Sequence, residues 1–272
     1  MAKANEGGAE LIIALDPDAD RCALAVPARD TPSAGTPIGE GWVALTGDET
    51  GALLGEYLAG RAEGGSTACS IVSGRLLGRI AQAHGLDHAT TLTGFKWIGR
   101  TPELVYGYEE AIGHCADPEH VRDKDGITAA VVAASAVAEL KAAGLGVLDL
   151  FDRQAARYGL YRTQPLTFRV EDLEVISAAM ERLRASVPSQ LAGARVTEYV
   201  DLAGGYGQTP GTNGILLRTE RDDRVIIRPS GTEPKLKCYL EVVLDAAETP
   251  DWDAARARLG ELSAATRALC GL

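Results

Sequence analysis

Asp16-Pro17-Asp18-Ala19-Asp20-Arg21 sets three carboxylates at alternate positions, directly after the short apolar run Glu10 to Leu15. Three hard oxygen donors in one tight loop suit Mg²⁺, which completes its octahedron with oxygens from water or a phosphate. A solvated acidic turn would show the same spacing. A second cluster, Arg228 to Lys235 (RPSGTEPK), joins two strand-like segments. Its Ser-Gly-Thr turn exposes backbone N–H groups, two hydroxyls add donors, and Arg228, Lys235 and Lys237 bring positive charge, so it can clasp a phosphate. Pro, Ser and Gly also make plain hairpin loops. In a third, Gly107 to His114 (GYEEAIGH), Glu109 and Glu110 close a strand between glycines. Paired carboxylates accept hydrogen bonds from vicinal hydroxyls, the chemistry a sugar needs, although two adjacent glutamates also suit a solvated helix start. Lys96, Arg100, Arg122 and Lys124 could serve a phosphate or be surface charges. His84 and His88 read as a helix end, and Ser73 and Ser230 have no neighbouring histidine, which argues against a serine triad.

The elements that must hold these residues follow from hydrophobic period. ELIIAL, the acidic loop and CALAV read as strand, loop, strand. Residues 27–41 are rich in Pro, Gly and Thr and predict a loop and a domain boundary. From Trp42 onward helix-like and strand-like segments alternate, which predicts an α/β domain, with Asp48 as N-cap of its first helix. The Ala- and Val-rich stretch from Thr128 to Ala143 predicts a buried helix ending at Gly144. After about Tyr161, PLTFRV reads as a strand and the next segment as a helix with Leu173, Ile176, Met180 and Leu183 on one stripe. GILLRTERDDRVIIRPS then predicts a hairpin turning near Asp222-Asp223. A last helix is expected with Thr249 as N-cap, Pro250 at N1 and Trp252, Ala255, Leu259, Leu262 and Leu269 on its apolar side.

Composition narrows the function. The 272 residues carry 27 Lys+Arg against 38 Asp+Glu, a net charge of −11, so nucleic acid and anionic membranes are not expected partners. No apolar run reaches the roughly 20 residues of a membrane helix. Five cysteines, odd in number and without a CxxC pair, argue against a disulfide framework or a zinc knuckle and fit a reducing cytoplasm.

Taken in order, DPDADR, TGFKWIG, GYEEAIGH, KDGI and RPSGTEPK resemble the α-D-phosphohexomutases, the phosphoglucomutases and phosphomannomutases. The resemblance implies an α/β multidomain fold: a remnant of domain 2 over residues 1–40, a mixed α/β sugar-binding domain 3 over 41–163, and an α+β phosphate-binding domain 4 over 164–272. It implies Asp16, Asp18 and Asp20 as Mg²⁺ ligands and Glu109 and Glu110 as sugar contacts. Arg228, Ser230, Gly231 and Thr232 are implied as contacts to the non-transferred phosphate, assisted by Lys124, with Arg21 and Lys96 as further contacts. Ala111 stands where the family often carries serine.

Such enzymes interconvert hexose 1- and 6-phosphates through an enzyme phosphoserine and a bisphosphorylated sugar. The family's TASHNP-like phosphoserine segment does not occur in these residues, so the expectation is a C-terminal portion, inactive alone. Its expected partners are a hexose phosphate and either an N-terminal half or a second copy paired through the strand at residues 10–15. Residues 1–27 are expected to be the least protected from hydrogen exchange. Two other functions fit parts of the pattern: a non-catalytic sugar-phosphate-binding remnant, and a phosphatase with Asp16 as nucleophile.

Overall fold

The structure, a computed structural model, describes residues 1–170, 173–231 and 233–271. The chain forms two compact units, Met1–Gly159 with Ala246–Trp252, and Leu160–Asp245 with Asp253–Leu272. The segments expected as 1–40 and most of 41–163 thus lie in one unit.

In the first unit a short helix α1 (Ala2–Glu6) precedes a four-stranded antiparallel sheet. Its strands β1 (Ile12–Leu15), β2 (Cys22–Pro27), β3 (Thr36–Gly39) and β4 (Trp42–Ala44) are ordered β1-β2-β4-β3. The loop expected at 27–41 therefore contains an edge strand, β3, whose four residues are all exposed. β1 is the other edge, pairing only with β2 from Ile12↔Ala25 to Leu15↔Cys22. β2 itself is core: Cys22, Leu24, Ala25 and Val26 are buried.

The alternating pattern follows as α2 (Gly47–Ala59), β5 (Ser66–Ser70), α3 (Leu76–Ala83), β6 (Asp87–Thr91), α4 (Phe95–Ile98), β7 (Leu104–Glu109), β8 (Gly113–Cys115), α5 (Gly126–Ala142) and α6 (Val147–Tyr158). The sheet order is β6-β5-β7-β8. β5 lies parallel to both β6 and β7, while β8 turns back antiparallel on β7. A helical crossover between parallel strands is the ordinary way to cover such a sheet. α4 seats Phe95 and Ile98 against Ala68, Leu104 and Cys115 beneath the β7–β8 turn.

Three local expectations change. Thr46, not Asp48, caps α2: its hydroxyl accepts the Glu49 N–H at 3.1 Å and Glu49 returns to the Thr46 N–H at 2.8 Å, a capping box. The Ala- and Val-rich helix α5 starts at Gly126 under an Asp125 cap and is buried on one face only; Val131 is 62% exposed. Its buried face is mostly small, Gly126, Ala129, Ala133 and Ala136, with Val137 beside them. His84 closes α3 and pairs with Glu56, whereas His88 belongs to β6 and meets Thr67.

The second unit is a six-stranded antiparallel sheet ordered β10-β11-β12-β13-β14-β9. Its strands are β9 (Leu160–Arg169), β10 (Gln190–Leu191), β11 (Ala194–Asp201), β12 (Ile215–Thr219), β13 (Arg224–Pro229) and β14 (Lys235–Leu244). The β12–β13 hairpin turns where expected, with Asp222 at φ 61°. Helix α7 (Leu173–Ala185) buries Ile176, Ala179, Met180 and Leu183, and Leu173 faces out instead. Helix α8 (Trp252–Cys270) begins two residues after Pro250; from Asp253 onward it belongs to this unit and buries Ala255, Leu259 and Leu262. Among the described residues no single helix is long and apolar enough to cross a membrane.

Candidate functional site

Because Leu15 pairs with Cys22, the six residues between β1 and β2 must close into a tight loop. Ala19 takes the left-handed conformation at φ 57° and donates its N–H to the Asp16 carbonyl at 3.0 Å. The turn brings one ligand oxygen from each of Asp16, Asp18 and Asp20 to within 4.8 Å of the others. Burial pushes the Asp16 carboxyl up, but the Arg21 N–H (3.1 Å) and guanidinium (3.4 Å) outweigh it and hold the group below its ordinary range. Asp20 is divided: Oδ2 receives Lys124 Nζ at 2.8 Å, and Oδ1 is buried without a hydrogen-bond donor among the described residues. A buried carboxylate oxygen with no donor is costly unless a cation faces it, so the donor set fits a hard divalent ion such as Mg²⁺.

The β7–β8 turn lies directly against this loop. Arg21 and Gly113 form an antiparallel bridge, and the Cys22 N–H donates to the Ile112 carbonyl at 3.1 Å. From the other side the Gly126 N–H donates to the Ala19 carbonyl at 3.0 Å. A Cβ on Gly126 would stand 2.5 Å from the Arg21 carbonyl oxygen and 2.7 Å from that of Ala19, so the start of α5 meets the acidic loop only through glycine. Lys124, two residues earlier, pairs with Asp20 and with Asp123 at 3.5 Å, and its Nζ lies 5.6 Å from the Phe95 ring centroid. The hydrogen bond to Asp20, opposed by burial, raises the Lys124 ammonium above its ordinary range.

The two glutamates have different surroundings. Glu109 accepts the Gly94 N–H, tying the turn to the TGFKWIG loop. Glu110 accepts the hydroxyls of Ser70 at 3.3 Å and Ser73 at 3.4 Å, and its N–H donates to Ser73 Oγ at 3.1 Å. Burial, then the carboxylates of Asp48 and Glu109, push Glu110 up to about 7. The backbone here is clamped on α2, since a Cβ on Gly47 would fall 2.0 Å from the Glu110 carbonyl oxygen. Asp48, displaced from capping, accepts the Gly74 N–H at 2.6 Å and the Tyr108 hydroxyl at 2.8 Å. His114 is fully buried, with Nδ1 at 2.9 Å from the Tyr106 hydroxyl, and burial pushes it down to about 3, so it stays neutral in the core. Lys96 and Arg21 are exposed.

Residues 16, 18, 20, 109, 110 and 124 therefore come together in the first unit. Ser70, Ser73, Asp48 and Gly94 join them without having been singled out as site residues, because only the pairing of β5 with β7 carries the serines to the glutamates.

In the second unit the RPSGTEPK segment closes the β13–β14 hairpin, with Arg228 opposite Lys237 and Pro229 opposite Leu236. The Ser230 N–H donates to the Lys235 carbonyl at 2.8 Å, and Lys235 Nζ holds Glu233 at 2.6 Å. Lys235 thereby lowers the Glu233 carboxyl, against burial. Gly231 is exposed and Ser230 half-buried at the tip; Thr232 lies outside the described residues.

This pairing of an α/β domain and a sheet-and-helix domain has known counterparts. The description "Phosphoglucomutase/phosphomannomutase, alpha/beta/alpha domain III" matches residues 46–156, and the C-terminal domain of the same family matches residues 167–259. The chain belongs to the phosphoglucomutase/phosphomannomutase, or α-D-phosphohexomutase, family, and corresponds to its C-terminal portion.

A "probable phosphomannomutase" of Haemophilus influenzae is 42% identical over 241 residues, covering 88% of this chain and 47% of that protein. A phosphoglucomutase of Staphylococcus haemolyticus is 33% identical over 276 residues, covering 93% and 48%, and a human phosphopentomutase is 31% identical, covering 89% and 44%. The chain thus spans about half the length of the curated relatives it matches. In fold it is similar to the open form of parafusin, a phosphoglucomutase of Paramecium, with a TM-score of 0.68, 19% identity and coverage of 97% of this chain and 45% of that one.

Proposed function

We propose that these residues form the metal-, sugar- and phosphate-holding part of a phosphohexomutase that interconverts hexose 1-phosphate and hexose 6-phosphate. The observation that carries this reading is the bridge between Arg21 and Gly113, which sets the acidic triad beside the Glu109 turn. Asp16, Asp18 and Asp20 would hold Mg²⁺, which when bound supplies positive charge to oxygens that gain negative charge during phosphoryl transfer. Lys124 neutralises one oxygen of Asp20 and keeps the triad from carrying three unbalanced charges. Glu109, fixed by the Gly94 N–H, accepts a sugar hydroxyl, while Glu110 holds the turn from behind through Ser70 and Ser73. Arg228 and the Ser230–Gly231 tip grip the phosphate that is not transferred. Positioning supplies most of the chemistry in such transfers, so each of these contacts acts on rate through orientation.

The serine that carries the phosphoryl group is not among these 272 residues, so the chain on its own binds sugar phosphate without isomerising it. The non-catalytic remnant shares this binding prediction and separates from the mutase only when a phosphoserine partner is supplied. Free, buried cysteines fit a reducing cytoplasmic setting.

Calorimetry with glucose 1-phosphate in the presence of Mg²⁺ tests the reading. Binding that falls about 10- to 100-fold in Arg228→Ala, the loss of one charge-assisted hydrogen bond of ~1.5–3 kcal/mol, supports it. No binding by the native chain, or turnover by the chain alone with a sugar bisphosphate activator, refutes it. Phosphate release abolished by Asp16→Asn would establish the phosphatase instead.

A further inference from the structure

Cys238, in β14, and Cys270, the last residue of α8, are 32 positions apart, yet their sulfurs lie 3.8 Å from one another. Both side chains are buried, at 0% and 1% exposure. Elsewhere Cys115 Sγ donates to the Val121 carbonyl at 3.2 Å, and Cys69 Sγ lies 3.7 Å from His88 Nε2. Sulfurs in van der Waals contact need to approach by less than 2 Å to reach the ~2.05 Å of a disulfide, and the last residue of a helix is the part of the backbone most free to give that distance. Gly271, at φ 64°, ends the helix directly after Cys270, so opening of a single turn exposes that sulfur without disturbing the sheet.

We propose that Cys238 and Cys270 are an oxidative modification site: a peroxide converts the pair into a reversible disulfide that fastens the end of α8 to β14.

The Cys270 thiolate attacks one oxygen of hydrogen peroxide; an S–O bond forms, the O–O bond breaks, and hydroxide leaves to become water. The Cys238 thiol then attacks the Cys270 sulfenic sulfur; the S–S bond forms, the S–O bond breaks, and the hydroxyl departs as water with the Cys238 proton. Two thiols are oxidised by two electrons and one peroxide is reduced to two waters. Cys270 is the attacking member. The sulfur–sulfur contact with Cys238 and the nearby Arg182 guanidinium hold the Cys270 thiol below its ordinary range against the upward push of burial. Arg182 is anchored there by its own hydrogen bond to the Cys270 carbonyl at 3.1 Å.

The bond would tie α8 to the phosphate-loop hairpin. Cys238 sits opposite Ile227 in the β13–β14 pairing, one residue from the Arg228↔Lys237 pair. The test is to treat the full chain with hydrogen peroxide, block free thiols, and map the peptides without reduction. The expected result is a fall from five free thiols to three, a linked Cys238–Cys270 peptide, stronger hydrogen-exchange protection of the last turn of α8, and full reversal by dithiothreitol. Cys270→Ser is expected to keep its remaining thiols at the same dose, and Cys238→Ser to trap Cys270 as a sulfenic acid that a dimedone probe captures. Linkage through any other cysteine, or a native chain that retains five thiols or oxidises Cys270 only to sulfinic acid, overturns the proposal.

Discussion

Replacing Glu110 by glutamine removes a carboxylate that the fold holds against Asp48 and Glu109 with only hydroxyls and N–H groups to receive it. Burial raises its pKa from an ordinary 4.5 to about 7, so the folded protein resists ionising it. Each pH unit between the two values is worth about 1.4 kcal/mol, which places a ceiling of about 3 kcal/mol on the effect. The direction follows from linkage: a carboxyl raised in the folded state contributes stability below pH 4.5 that is lost as pH rises through 7. Native protein should therefore lose stability relative to Glu110→Gln across that window, with the two curves parallel on either side. Urea unfolding of both proteins at several values between pH 4 and 8.5 measures the difference. A gap between the curves that stays constant from pH 4.5 to 7.5 would refute the claim that Glu110 is held with a raised pKa.

Four further outcomes follow. Gly126→Ala drives a Cβ into two backbone oxygens, and overpacking of this kind costs ~1–3 kcal/mol, so a lowered melting temperature together with weaker Mg²⁺ binding is expected. Asp20→Asn should weaken Mg²⁺ by about tenfold or more, read by titration with the ion alone, because it removes charge from an oxygen that no donor among the described residues reaches. Thr46→Ala breaks the α2 capping box and should cost ~1 kcal/mol in chemical unfolding. Hydrogen exchange should be fast at the edge strand β1 and slow at β2, which pairs with β1 and β4 and is buried, in contrast to uniformly weak protection of residues 1–27.

The acidic loop and the glutamate turn could be read from sequence because their chemistry is local: alternate aspartates after a strand, and adjacent glutamates between glycines. What holds them was not local. Lys124 lies 104 positions from Asp20 and reaches it only because α5 starts against the acidic loop. Ser70 and Ser73 are 40 and 37 positions from Glu110 and meet it through the sheet. The same limit explains the misplaced cap of α2. Thr46 and Asp48 are both good capping residues, and what settles the choice is that Asp48 is occupied by Gly74 and Tyr108. The Ala- and Val-rich α5 has no polar face to mark its outward side, so its half exposure could not be seen in composition. The cluster of hydroxyls and basic residues in RPSGTEPK was legible for the converse reason, being a hairpin tip whose donors come from consecutive residues.

The central claim is that the acidic triad and the glutamate turn serve one bound sugar phosphate. Mn²⁺ titrated into a mixture of the chain and ¹³C-labelled glucose 1-phosphate tests it directly, because the paramagnetic ion broadens only nuclei near its own site. The account predicts broadening of the sugar resonances that Asp20→Asn and Glu109→Gln each reduce at the same Mn²⁺ concentration. Mn²⁺ bound to the chain with sugar resonances left sharp, or broadening indifferent to both substitutions, would contradict it.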